Sequence, residues 1–89
     1  MATYPISNGQ GFAVDSRSGE HTVLAPSNPG ANHQFGVADY AKNFGTTPVH
    51  VDFNGERFEG YVQGYTLNSN GESAIFNYLD SVVGWIVVG

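Results

Sequence analysis

The stretch Val49-His50-Val51-Asp52-Phe53-Asn54-Gly55-Glu56-Arg57-Phe58-Glu59-Gly60 alternates apolar and polar residues up to an Asn-Gly dipeptide and then repeats the pattern in reverse. Asn-Gly is the strongest short-range hairpin signal, because a type I′ turn needs positive φ at both central residues. With Asn54-Gly55 as the turn, Phe53 faces Glu56, Asp52 faces Arg57, Val51 faces Phe58 and His50 faces Glu59. One face then carries Val49, Val51, Phe53 and Phe58. The other pairs His50 with Glu59 and Asp52 with Arg57. A slip of one residue destroys both features at once, so this register predicts a hairpin with one buried side.

Working outward, the same arithmetic at Asn70-Gly71 sets Ser69 opposite Glu72, Leu67 opposite Ala74 and Tyr65 opposite Phe76, a second hairpin. Its returning strand, Ala74 to Leu79, is apolar on both faces and reads as central in its sheet. Trp85 to Val88 is a short last strand placed to pair back onto 74–79. In the first half, Gly11–Val14, His21–Leu24 and Gln34–Ala38 read as strands, separated by a turn at Ser16–Gly19 and a loop holding Pro26, Pro29 and Gly30. Between Val37 and Phe44 the apolar spacing suits either one helical turn or an irregular loop. The sum predicts an all-β chain: a small antiparallel β-sandwich or barrel of about seven or eight short strands built from hairpins. The polar residues 1–10 read as an N-terminal arm that orders on a partner, and residues 11–89 as a single β domain.

Composition bounds the function. Three basic residues, Arg17, Lys42 and Arg57, stand against eight acidic ones in 89 residues. A nucleic-acid binder needs clustered cations to displace counterions from phosphates, so nucleic acid is not the expected partner. An anionic membrane surface is disfavoured on the same ground. The start, MATYPISNGQG, has neither the basic nor the apolar region of a signal peptide, which points to synthesis in the cytoplasm. With no cysteine, disulfides and thiolate zinc sites are excluded. A domain this small buries only about 60–65% of its unfolded surface, which leaves association as a source of further stability.

The search for chemistry yields no catalytic, cofactor-binding or metal-binding residue. His21, His33 and His50 have no ligand spacing and read as ordinary surface histidines, and Glu20-His21 and Asp52–Arg57 as solvated strand faces. Gly9-Gln10-Gly11 lacks the strand–helix context and the lysine of a phosphate loop. The expectation is a non-enzyme without cofactors. Phe12, Phe35, Phe44, Phe53, Phe58, Phe76 and Trp85 supply most of the core. The tyrosines at 4, 40, 61, 65 and 78 are too many to bury, and exposed rings with polar tips suit protein contacts.

The order of segments resembles a recurrent β module of tailed-bacteriophage virion proteins, found in head fibres, capsid decoration proteins and tail fibres. The segments are Val14-Asp15, Gly19, HTVLAP (His21 to Pro26), Pro29-Gly30, FGVAD (Phe35 to Asp39), Asn43-Phe44, VHVDFNGERFEG (Val49 to Gly60), YTLNSNGES (Tyr65 to Ser73), AIFNYL (Ala74 to Leu79) and GWIVV (Gly84 to Val88). They cover residues 12 to 88; Ala25, between Leu24 and Pro26, departs from the pattern by one position. As a free-standing copy the chain looks like a capsid decoration (cement) protein. The resemblance then implies a homotrimer on the outer capsid surface of the virion, with the major capsid protein, or another virion protein, as partner. Two other readings remain: a tail or fibre accessory module that binds a host surface glycan, and a small phage inhibitor of a host protein.

Overall fold

A computed structural model describes residues 2–89. Its strands are β1 (Ala2–Pro5), β2 (Gln10–Val14), β3 (His21–Leu24), β4 (Gln34–Asp39), β5 (Val49–Asp52), β6 (Tyr65–Leu67), β7 (Ser73–Tyr78) and β8 (Trp85–Val87), with one 3-10 turn at Ser16–Ser18. The chain is therefore nearly all β, as its Val, Ile, Phe and Tyr content requires. The strands form two four-stranded sheets, β1-β3-β5-β6 and β2-β4-β7-β8. The segment read as an N-terminal arm contributes edge strand β1, and Ile6 is buried.

The architecture corrects the expected pairing. From β1 to β5 the chain alternates between the sheets, climbing in one and descending in the other. Neighbours in a sheet therefore run the same way: β1 with β3, β3 with β5 and β2 with β4 are parallel. Only β4–β7, β5–β6 and β7–β8 are antiparallel. The sheets are mixed rather than purely antiparallel, and the sandwich is not a closed barrel.

Neither expected hairpin forms. Asn54 (φ 57°) and Gly55 (φ 89°) do make the tight turn, with the Glu56 N–H donating to the Phe53 carbonyl at 3.1 Å. Residues 57–59 then leave the strand, and β5 pairs instead with β3 and β6. His50 consequently meets Glu20 (2.9 Å) and Thr66 (3.2 Å) rather than Glu59. Asp52 accepts from the Asn54 N–H at 2.8 Å, and Arg57 reaches the Val82 carbonyl at 3.4 Å, so that pair does not form either. At Asn70-Gly71 the turn joins β6 of one sheet to β7 of the other. Tyr65 still meets Phe76, with ring centroids 5.5 Å apart, but across the sandwich core rather than across a ladder. The stretch after Val37 stays extended to Asp39 and then loops, without a helical turn.

Other expectations hold. β7 lies between β4 and β8, as its two apolar faces predict. The last strand pairs back as Phe76↔Val87, Asn77↔Ile86 and Tyr78↔Trp85. Val49, Val51, Phe53 and Phe58 are all buried. Phe53 and Phe58 stack at 4.8 Å and 9°, and Phe35, Phe76 and Trp85 complete an aromatic core. Rings at such separations add about 0.5–1.5 kcal/mol per pair beyond the area they bury.

Register sorts the loops onto two ends. Residues 6–9, 25–33, 53–64 and 79–84 gather at the upper end, and 15–20, 40–48 and 68–72 at the lower.

Candidate functional site

The two outer faces differ in kind. Strand alternation points Gly11 and Ala13 of β2, Gln34, Gly36 and Ala38 of β4, Ser73, Ile75 and Asn77 of β7 and Ile86 of β8 outward, with Val88 just beyond. Among the described residues no charged side chain lies on this face. Because Gly36 presents no side chain beside Ile75, the surface dips into a shallow trough of about 420 Å³ lined by Gly11, Ala13, Gly36, Ala38, Ser73 and Ile75. The outer face of β1-β3-β5-β6 carries more polar and charged groups, although Pro5 and Leu24 also lie on it. Thr3, Thr22, His50 and Thr66 form one row across the strands. Beside them a groove of about 450 Å³ has the polar groups of Thr22, His50, Asp52, Glu56 and Gln63 in its lining, together with the apolar Val51, Phe53 and Val62.

At the upper end two loops lock together. Glu59 (φ 50°) and Gly60 (φ 87°) form a tight turn in which Phe58 and Tyr61 exchange backbone hydrogen bonds of 2.8 and 3.1 Å. This two-residue turn has the geometry expected at Asn54-Gly55. A glutamate in the left-handed region is uncommon, and the surrounding bonds hold it there. The Glu59 N–H donates to the Trp85 carbonyl (2.9 Å), the Gly60 N–H to the Val83 carbonyl (2.8 Å) and the Trp85 N–H to the Arg57 carbonyl (2.8 Å). The 79–84 loop closes on Asp80, whose Oδ1 accepts from the N–H groups of Val82 (2.9 Å) and Val83 (2.8 Å).

On this frame Tyr61, Val62, Val82 and Leu79 are left in water, at 71%, 82%, 66% and 38% exposure. Single exposed apolar residues are ordinary, and these four are shared between two loops that are hydrogen-bonded to each other. Four carboxylates stand at the same end, those of Asp52, Glu56, Glu59 and Asp80, with Arg57 as the one cation among the described residues there. Glu56 is fixed by the Tyr78 hydroxyl, which donates to its Oε1 at 2.8 Å. Burial, and then this carboxylate, push the Tyr78 phenol above its ordinary pKa.

The histidines are scattered. His50 lies on the polar face and His33 accepts the Gly30 N–H on Nδ1 at 3.1 Å in the proline loop. His21, expected on the surface, is buried with 6% exposure. It points inward from β3, its Nε2 lies 3.3 Å from the Ser18 hydroxyl and its ring meets Tyr4 edge-on. Glu20 therefore serves His50 and not its neighbour His21. No group of three or more metal-ligating side chains occurs among the described residues, and none of their helices is long and apolar enough to cross a membrane. The upper tip was legible in the sequence only as one of five tyrosines; a Tyr-Val pair directly after Gly60 was the further signal.

No protein-family model matches the chain, and no curated protein matches it in sequence.

Proposed function

We propose that this chain is a structural protein of a tailed-bacteriophage virion that works by binding alone, as a capsid decoration (cement) protein on the outer shell. The reading is supported by the ordered segments from Val14 to Val88. The observation that carries it is the uncharged outer face of β2-β4-β7-β8. A chain of net charge −5 repels its own copies wherever its carboxylates meet. Small side chains without charge offer a face on which copies approach closely, and we place the homotrimer contact there. Made in the host cytoplasm, the protein would end on the capsid surface, held by the major capsid protein.

Such binding stabilises the shell by mass action. A ligand with affinity for the assembled shell and none for its parts contributes about RT ln(1 + [L]/Kd) per site. Joining three copies raises the effective concentration for the second and third contacts. Co-sedimentation with undecorated capsids is the test, backed by mass spectrometry of purified virions. Protein that stays in the supernatant and is missing from virions would remove this reading.

A second reading rests on the groove at His50. Thr22, His50, Asp52, Glu56 and Gln63 offer the donors and acceptors that a sugar requires. Glycan-array binding without capsid affinity would favour a tail or fibre module instead.

A further inference from the structure

We infer that the upper tip is the element that grips the partner, and that the partner surface is an apolar socket ringed by lysine or arginine side chains. The inference rests on the shell-binding reading and adds where and how contact is made. Tyr61, Val62 and Val82 are the most exposed large apolar side chains of the upper end, and Leu79 is the next most exposed. A surface built for solvation alone would carry polar groups at these positions. Here the backbone beneath is fixed by four hydrogen bonds between the two loops: Glu59 to Trp85, Gly60 to Val83, Trp85 to Arg57 and the Arg57 guanidinium to Val82. The anchor therefore loses little freedom on docking, which is the advantage of a preorganised contact. Tyrosine is also a favoured anchor side chain at interface centres.

Charge chooses the partner. Glu59 is two residues from Tyr61, Asp80 is next to Leu79 in the chain, and Asp52 and Glu56 line the same groove as Val62. An apolar centre with an acidic rim is matched by an apolar hollow with a basic rim, and opposite charges at the rim speed encounter and fix orientation. The tip and the uncharged sheet face thus divide two tasks, gripping the shell and joining copies.

The test measures binding to undecorated capsids by co-sedimentation for three proteins, each checked for folding by circular dichroism. The wild type is expected to bind, with affinity falling as salt rises from about 0.05 to about 0.5 M. Tyr61→Ser combined with Val62→Ser is expected to bind at least about tenfold more weakly with an unchanged melting curve, since both side chains lie in water. Tyr40→Ser, at the lower end, is expected to bind like the wild type. A double variant that binds as tightly as the wild type overturns the tip and leaves the shell-binding reading standing. A wild type that fails to bind capsids overturns that reading itself, as does tip-dependent binding to glycans alone.

Discussion

The two ends of the sandwich differ in how their neighbouring loops are joined. At the lower end side-chain oxygens collect backbone N–H groups. Asp39 Oδ2 accepts from Phe44 (2.9 Å) and Gly71 (3.0 Å), Asn70 Oδ1 from Gly45 (2.8 Å), and Glu72 Oε1 from Asn68 (2.8 Å) and Ser69 (3.0 Å). Phe44 of that end is fully buried, while Tyr40 stands exposed. At the upper end Asp80 caps its own loop in the same way, but the 57–60 segment is joined to residues 83–85 backbone to backbone, and Tyr61, Val62 and Val82 are left outside. Joined through its backbone, the turn at Glu59-Gly60 keeps the side chains of Tyr61 and Val62 free for contact.

The comparison breaks most severely at Gly84. It has φ +81°, and a Cβ built there would overlap the Arg57 carbonyl that receives the Trp85 N–H. The obstacle is backbone and cannot rotate away. Gly84→Ala is expected to cost roughly 2–5 kcal/mol from overpacking and the positive φ together. That is a fall of at least about 10 °C in the thermal midpoint of a domain this size. A midpoint within a degree or two of wild type would show that the upper end is not held by this close approach.

Next comes Asp39, the centre of the lower end. Partial burial raises its carboxyl, but the backbone N–H groups of Phe44, Asn43, Gly71 and Ala41 outweigh that, and its pKa lies below the ordinary aspartate value. Asp39→Ala leaves those donors without their acceptor and is expected to cost about 2–4 kcal/mol in denaturant unfolding. The sign with pH follows from the direction of the shift. A carboxyl depressed in the folded state contributes stability above its unfolded pKa, about 3.9, and loses it as pH falls through the folded value. Wild-type stability should therefore drop below about pH 4, and Asp39→Asn should flatten part of that drop. An identical acid profile in the variant would assign the loss to other carboxylates.

The same contrast explains what the sequence could reveal. Alternation correctly buried Val49, Val51, Phe53 and Phe58, because a strand against a core shows period two whichever strand lies beside it. It could not name the neighbour. An Asn-Gly dipeptide reports positive φ at two residues, and Asn54-Gly55 has it, but the next strand's sheet is decided by packing further along the chain. Phe58 reached the predicted side of the core by an arch instead of a ladder. The parallel pairs left no local trace, since β1, β3 and β5 each return from the opposite sheet. β7 and β8 were readable because two apolar faces imply an interior strand and few residues separate the pair. The tip was hidden for a further reason: Glu59 carries no positive-φ signature, and only the Trp85 carbonyl above it shows why the turn lies there.

The smallest effect sharpens the comparison from within the lower end. Arg17 grips Asp15 through two side-chain bonds of 3.0 and 2.7 Å, and its own N–H caps the same carboxylate at 3.0 Å. The Arg17 guanidinium and N–H hold the Asp15 carboxyl at about 2, against an ordinary 3.8. Good geometry makes this a strong-looking pair, yet both groups lie in water, where screening and side-chain entropy cancel most of the attraction. Arg17→Ala should therefore move the Asp15 carboxyl, followed by NMR titration, up towards its ordinary value while leaving the thermal midpoint almost unchanged at moderate salt. The acid-side contribution that Asp15 makes in the wild type, present above the ordinary value and lost as pH falls towards about 2, is removed by this variant and is thereby separable from that of Asp39. A midpoint that falls as far as in Asp39→Ala would mean that the turn at Ser16–Ser18 is as integral to the lower end as the Asp39 cluster, and that exposure is the wrong criterion for ranking these carboxylates.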